Sequence, residues 1–348
     1  MNQKLLEKAK KCDEIYLAGY PSYFGGADSE AKGLLELLRM YGIKVTAIPM
    51  FGCDQQMKRE MDSIGVVTGA YRDNVFKNKH VIALCNGSFL DKLPVIMEQG
   101  RPKCVYWGNC MTWSFPKEVK AQSQGFIDYH LYVSDYQRNM IQNKISEDSG
   151  VLCNEFKGYR PYYQTKDEFT LDRPADHFAT GRLSRNDPGK FSTDMWQLYD
   201  RILSKRAKKV FIQAWSDQVK HKVGEPPAGM DWMTSGPNHI PATEFYHKLH
   251  CIIHKTGGSR ESYCRIVPEC YAHGTIMIAE NDYAFPDLIV DGETGFVCDT
   301  SDEMSFRASE IANYESERIR IAKNAYNYLV NELMNPDECV RPWIEVLS

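Results

Sequence analysis

The chain has no C-x-x-C pair, no D-x-D triplet, no short-period repeat and no low-complexity tract. No apolar run approaches the roughly 20 residues that cross a bilayer. The first absence argues against a zinc ribbon or a thioredoxin-type site. The second removes a common way of presenting carboxylates to a hydrated metal. The opening residues, MNQKLLEKAKKCDE, are charged and lack the apolar core of a secretion signal. Eleven cysteines are present, but the number is odd and they are scattered. Cys85 in HVIALC and Cys251 in LHCII read as small buried hydrophobes. This usage suits a reducing compartment, so a cytoplasmic location is expected. A formal charge of −4 argues against non-specific coating of nucleic acid, although a local basic cleft stays open.

What is there fits an ordinary globular protein, with 43% apolar, 25% charged and 12% aromatic residues. At 348 residues the chain is long enough for two domains. Strands are expected at Glu14–Tyr20, Lys44–Met50, His80–Asn86, Lys103–Asn109 and Asp128–Ser134, with helical patterns between them such as Ser29–Tyr41 and Gln137–Ile145. A polar segment, Tyr163–Asp176, reads as a linker. A second series follows at His177–Leu183, Lys208–Trp215, Leu249–His254, Thr275–Glu280 and Gly295–Cys298. Such alternation predicts an α/β chain with two Rossmann-like domains built on parallel sheets. The expected boundaries are 1–170, 171–330 and a helical tail, 331–348, that packs back on the first domain. Ser216–Asn238, rich in Gly, Pro and charge, reads as a long surface loop. His80, His130, His177, His250 and His254 lie at or inside apolar runs and read as packed structural residues.

The richest stretch is Arg260–Val297, RESYCRIVPECYAHGTIMIAENDYAFPDLIVDGETGFV. Glu261 and Glu269 are separated by seven residues. A loop, Ser262–Val267, is expected to lead into a helix starting near Pro268. Backbone N–H groups of such a loop and the positive end of the helix dipole make a site for an anion such as a diphosphate. Glu269, in the first turn, suits two ribose hydroxyls, and Glu261 a sugar hydroxyl.

This stretch resembles the donor-binding signature of glycosyltransferase family 4 and its GT-B relatives. The match rests on Glu261, Glu269, GTIMIAE and PDLIVDGETGFV, over about forty residues. Looser agreement runs over most of the chain. Gly25 and Gly26, after EIYLAGY, resemble the family's N-terminal glycine loop beside the donor phosphates. FATGRLSRNDPGKF resembles its "G-R-L…K-G" opening of the second domain. The resemblance therefore implies that Arg182 and Lys190 converge on the diphosphate, with Arg185 as a substitute for Lys190. Arg265, with the Ile266 and Val267 backbone, would add to that grip. One departure stands out: Asn109 occupies the place where many members carry a His near the transferred sugar. Asn can hydrogen-bond but cannot titrate. Trp107 and Trp113 flank it as acceptor-side candidates, at least one of them expected in the core.

What the resemblance implies is a GT-B fold, two Rossmann-like domains facing across a cleft. It also implies transfer of a sugar from a nucleotide-diphosphate donor, by family frequency a UDP-sugar, to a hydroxyl, with retention of configuration. Glu261, Arg182 and Lys190 would carry the chemistry. No metal and no resident cofactor are implied, because the nucleotide sugar is a co-substrate. The acceptor stays open among small molecules, polysaccharides, proteins and modified DNA bases. Two alternatives remain: a nucleotide-sugar epimerase or hydrolase of the same fold, or a degenerate domain that only binds nucleotide.

Overall fold

A computed structural model describes residues 1–20, 26–154, 158–163, 168–235 and 240–348. The chain divides into two compact units, Met1–Gln164 with Met334–Ser348, and Thr165–Leu333.

The first unit contains β1 (Ile15–Ala18), β2 (Val45–Ile48), β3 (Val67–Thr68), β4 (His80–Leu84), β5 (Cys104–Gly108) and β6 (Tyr129–Leu131). They form one parallel sheet in the order β3-β2-β1-β4-β5-β6. Every residue of β4 and β5 is buried. Such two-sided burial explains why these strands are near-continuous apolar runs. The helix Gly26–Met40 buries Ala31, Leu34, Leu35 and Leu38, a stripe at helical spacing. Ser134 caps the helix Asp135–Ser149 by accepting from the Gln137 N–H at 3.0 Å, and Gly150, at φ 69°, ends it. The last helix, Pro336–Leu347, packs on the helices Gln3–Ala9 and Gly26–Met40. Its Trp343 is fully buried, edge-on to Tyr159 and Tyr106.

The second unit contains β7 (His177–Arg182), β8 (Ala207–Gln213), β9 (Trp232–Ser235), β10 (Cys251–His254), β11 (Ile276–Glu280) and β12 (Phe296–Cys298). Their parallel order is β12-β11-β10-β7-β8-β9. Both sheets thus share the doubly wound arrangement, third-second-first-fourth-fifth-sixth in chain order. Each has a switch point between its first and fourth strands, where the crossovers diverge and leave a crevice at the carboxyl ends. The core gathers Phe178, Trp196, Tyr199, Ile253, Ile278 and Ile311.

One expectation fails here. The segment read as a surface loop, Ser216–Asn238, contains a helix, Asp217–Val223, and strand β9. Ser216 caps that helix, and Val219 and Val223 are buried. Trp232 packs edge-to-face with Trp196 and Trp215, at centroid distances of 5.4 and 5.7 Å. Tertiary packing of one tryptophan outweighs the local Gly and Pro content.

Candidate active site

Arg182 is the last residue of β7 and His254 the last of β10, so the switch point of the second sheet brings them together. One Arg182 Nη2–H group donates to the Lys190 carbonyl. The same nitrogen lies 3.3 Å from His254 Nε2. The Arg182 guanidinium also sits over the Phe191 ring. Lys190 Nζ then lies 2.7 Å from Glu261 Oε1. Glu261 Oε1 is in turn 3.4 Å from His254 Nε2. Two segments far apart in sequence, 182–190 and 254–261, therefore meet in one charged cluster.

Two loops are zipped together to hold it. The Gly257 and Ser259 N–H groups both donate to the Gly189 carbonyl at 2.9 Å. Asp187 caps the turn by accepting from the Gly189 N–H at 2.8 Å. Lys222 Nζ donates to the carbonyls of Pro188 and Gly257 at 2.8 and 2.6 Å. A Cβ on Gly257 would lie 1.9 Å from the Phe191 carbonyl oxygen, so the close approach requires glycine.

The electrostatics follow from burial and sign. Burial disfavours the protonated form of His254, Arg182 adds to this, and the imidazole is pushed down to about 4. It is neutral at pH 7. Burial alone would raise the Glu261 carboxyl, but His254 and Lys190 override it and hold it well below the usual carboxylate range. With His254 neutral, the Lys190 ammonium is the cation that keeps Glu261 ionised. Arg182 is only 2% exposed. Its guanidinium fixes the Lys190 backbone through the bond to that residue's carbonyl. Arg185, the substitute candidate, is exposed.

Glu269 forms a second cluster. Tyr246 OH donates to its Oε2 at 2.5 Å, and Arg265 Nη2 lies 2.8 Å from its Oε1. Arg265 thus pairs with the carboxylate. Cys264 is buried, and its Sγ lies within 4.8 Å of donor atoms of Glu261 and His254.

The helix carrying Glu269 spans Ile266–His273, two residues earlier than the expected start near Pro268. Pro268 occupies the third helical position, where its missing N–H is still one the helix leaves unpaired. This shift changes the expected amide cradle. The Val267 N–H donates to the Cys264 carbonyl at 3.0 Å. The Val267 N–H is therefore spent on its own turn.

In the first unit, Gly26 opens the helix Gly26–Met40, and Gly25 lies outside the described residues. Asn109 is buried and fully engaged. Its Nδ2 donates to the Trp113 carbonyl at 3.0 Å and to Glu118 Oε2 at 2.6 Å, and its Oδ1 accepts from the Met111 N–H. Trp107 lies inside β5, 1% exposed, with its indole N–H on Glu118 Oε1 at 2.8 Å. Of these acceptor-side candidates only Trp113 presents its ring, at 54% exposure. Trp107 and Asn109 are committed to the core because Glu118, itself fully buried, needs their donors. Sequence reading passed over Glu118, although FPKE carries a helix-start signal with Pro first and Glu third. It placed His254 in the core, which is right about burial, but missed its contact with Arg182 and Glu261.

His254, Glu261 and Cys264 place one N, one O and one S donor within 4.8 Å of one another. That set has the softness of a zinc site. However, Glu261 Oε1 already faces Lys190 and His254 Nε2 faces Arg182. A divalent cation would have to displace both cations, so the donor set does not fit one as it stands.

No protein-family model and no curated protein matches the chain. Among solved structures it is similar to Anabaena HepE in complex with UDP and glucose, at 13% identity over 96% of this chain and 100% of that one, with a TM-score of 0.67. It is also similar to a glycosyltransferase from Rickettsia africae ESF-5, at 14% identity over 96% and 98%, TM-score 0.68. A third is TarM, at 9% identity over 97% and 99%, TM-score 0.72. At such identities the likeness establishes the fold, which is GT-B.

Proposed function

We propose that the chain is a glycosyltransferase that takes a nucleotide-diphosphate sugar, with UDP as the favoured nucleotide. The observation that carries this reading is the convergence of Lys190 and Glu261 above Arg182 at the second sheet's switch point. Support also comes from similar folds solved with UDP and glucose or with UDP-glucose.

In this reading Lys190 serves the diphosphate. An ammonium has three N–H donors, and only one is committed to Glu261. Glu261 orients a sugar hydroxyl with its second oxygen, and Glu269 takes the ribose hydroxyls. Arg182 is a positioning residue that fixes the Lys190 backbone. The acceptor oxygen forms a bond to the anomeric carbon as the bond from that carbon to the diphosphate oxygen breaks. The acceptor's proton passes to the departing diphosphate, with retention of configuration. The developing negative charge falls on Lys190, in a site where low dielectric strengthens the interaction, and no metal is invoked.

The direct test is a thermal-shift panel of UDP-, GDP- and ADP-sugars. A true donor at about 100 times its Kd stabilises the fold by roughly 2.7 kcal/mol. Product formation with acceptor present, and little hydrolysis without it, would separate transfer from the hydrolase alternative. A panel with no stabilising nucleotide sugar overturns the proposal.

A further inference from the structure

At the other end of the second unit's sheet, where β7, β8 and β10 begin, lies a cavity of about 420 Å³ lined by Arg173, Lys205, Arg206, His250 and Glu315, among others. This size falls in the range of small-molecule sites, roughly 300–1,000 Å³. A six-residue strand rises about 20 Å, so the cavity is well separated from the Lys190 cluster at the far end of β7.

The cavity lining is richer in donors than in acceptors. His250 Nδ1 accepts from the Ala179 N–H at 3.1 Å. A neutral imidazole bonded in this way carries its proton on Nε2. Burial, followed by the charges of Arg206 and Arg318, keeps His250 neutral at pH 7. Its Nε2–H faces Arg206 Nη1, another donor, at 3.4 Å. Among the described residues, Arg206 otherwise donates hydrogen bonds only to the carbonyls of Pro174 and Ala312. Lys205 is exposed and forms no ion pair among the described residues. Glu315, the one carboxylate in the lining, has both oxygens held by Arg318. Behind it, Arg318 is 1% exposed, and its Nη1 has no acceptor among the described residues. Arg173 is tied to backbone carbonyls, including Leu249 and His273 at 2.5 and 2.7 Å, which makes it a rigid wall that is still cationic.

We infer that this cavity is a second ligand site, for a phosphomonoester whose phosphate accepts from Lys205, Arg206 and His250 Nε2 and whose organic body fills the remaining volume. A phosphate supplies the several acceptor oxygens that these converging donors lack. The inference does not depend on the proposed transferase activity.

The test is calorimetry on the full chain at fixed ionic strength, with glucose 6-phosphate, inorganic phosphate and glucose as probes, each with and without UDP. Glucose 6-phosphate is expected to bind, inorganic phosphate to bind about tenfold more weakly, and glucose not at all. Lys205→Ala, at an exposed position, is expected to keep the melting temperature and to weaken glucose 6-phosphate about tenfold or more. Arg206→Gln is expected to weaken the ester to a similar extent and also to lower the melting temperature, because the bonds to the Pro174 and Ala312 carbonyls are lost. Binding should also move the His250 ring resonances and raise its titration midpoint, because a dianion favours imidazolium. No binding of the ester, equal affinity for ester and inorganic phosphate, indifference to both substitutions, or full displacement by UDP would each overturn the assignment.

Discussion

Lys190 Nζ and Glu261 Oε1 lie 2.7 Å apart although the residues are 71 positions apart in the chain, and both side chains are about seven-eighths buried. A pair this enclosed is costly to break from one side, because the survivor keeps its desolvation penalty without its partner. Lys190→Met is therefore expected to lower stability by about 2–3 kcal/mol in urea unfolding. Adding Glu261→Gln should recover more than half of that loss. Donor affinity separates structure from function. It should fall about 10- to 100-fold in the double variant although stability has returned. A double variant that binds UDP-sugar normally removes Lys190 from the donor site.

Glu269 is held from both sides, by Tyr246 OH on one oxygen and Arg265 on the other. Glu269→Ala is expected to weaken nucleotide binding by about 1.5–3 kcal/mol, the usual worth of hydrogen bonds to a charged group. Tyr246→Phe is the finer probe. It leaves the charge in place and removes only the hydroxyl that orients it, so a smaller loss of about three- to tenfold is expected. Titration of UDP against both variants measures this. Unchanged affinity in a folded Glu269→Ala protein would leave the carboxylate with no role beyond pairing Arg265.

The apolar strands were legible because a parallel sheet covered on both faces demands unbroken runs such as HVIAL and IMIAE. The Glu261–Glu269 spacing was legible because both residues lie on one loop-helix segment. β3 and β9 were not, since both are short edge strands with exposed side chains at Val67 and Met233, and their pairing comes from a neighbour rather than from local pattern. His254 was hidden for a related reason. In LHCIIHK it looks like the end of a core strand, and it is one; its partners come from segments ending at Arg182 and starting at Glu261. Glu118 was hidden because a carboxylate on a helix start is usually solvated, whereas this one has Trp107 and Asn109 above it.

Two buried histidines set an acid limit on stability. His254 is pushed down to about 4 by burial and Arg182, and His250 to about 3 by burial and Arg206. Both titrate near 6.5 when unfolded. Between about pH 6.5 and 4 the unfolded chain binds more protons than the folded one, so folding stability rises with pH across that window and is lost as pH falls through it. Each histidine contributes a slope of up to about 1.4 kcal/mol per pH unit. Glu261, depressed in the fold, adds a loss at still lower pH, below its unfolded value of 4.5. Urea unfolding at pH 7, 6, 5 and 4 should show the decline, and His254→Asn should make it shallower. A flat profile would mean that neither imidazole is buried uncharged.

Gly257 tests whether the loop zipper positions the chemistry. A methyl group there would lie 1.9 Å from the Phe191 carbonyl oxygen and 2.4 Å from Lys222 Nζ. The lysine end can swing away, but the carbonyl belongs to the backbone that runs directly on from Lys190. Relief must therefore separate the two loops, breaking the bonds from the Gly257 and Ser259 N–H groups to the Gly189 carbonyl. Gly257→Ala is expected to cost roughly 1–3 kcal/mol of stability, the usual range for overpacking. Because Lys190 rides on the displaced loop, turnover should fall by more than the stability loss alone explains, in protein still folded at the assay temperature. Lys222→Met provides the comparison. It removes the staple to Pro188 and Gly257 without any clash. Its effect on turnover should be in the same direction and smaller. If Gly257→Ala lowers the melting temperature yet leaves kcat intact, the two loops are scaffold and Lys190 does not depend on their register.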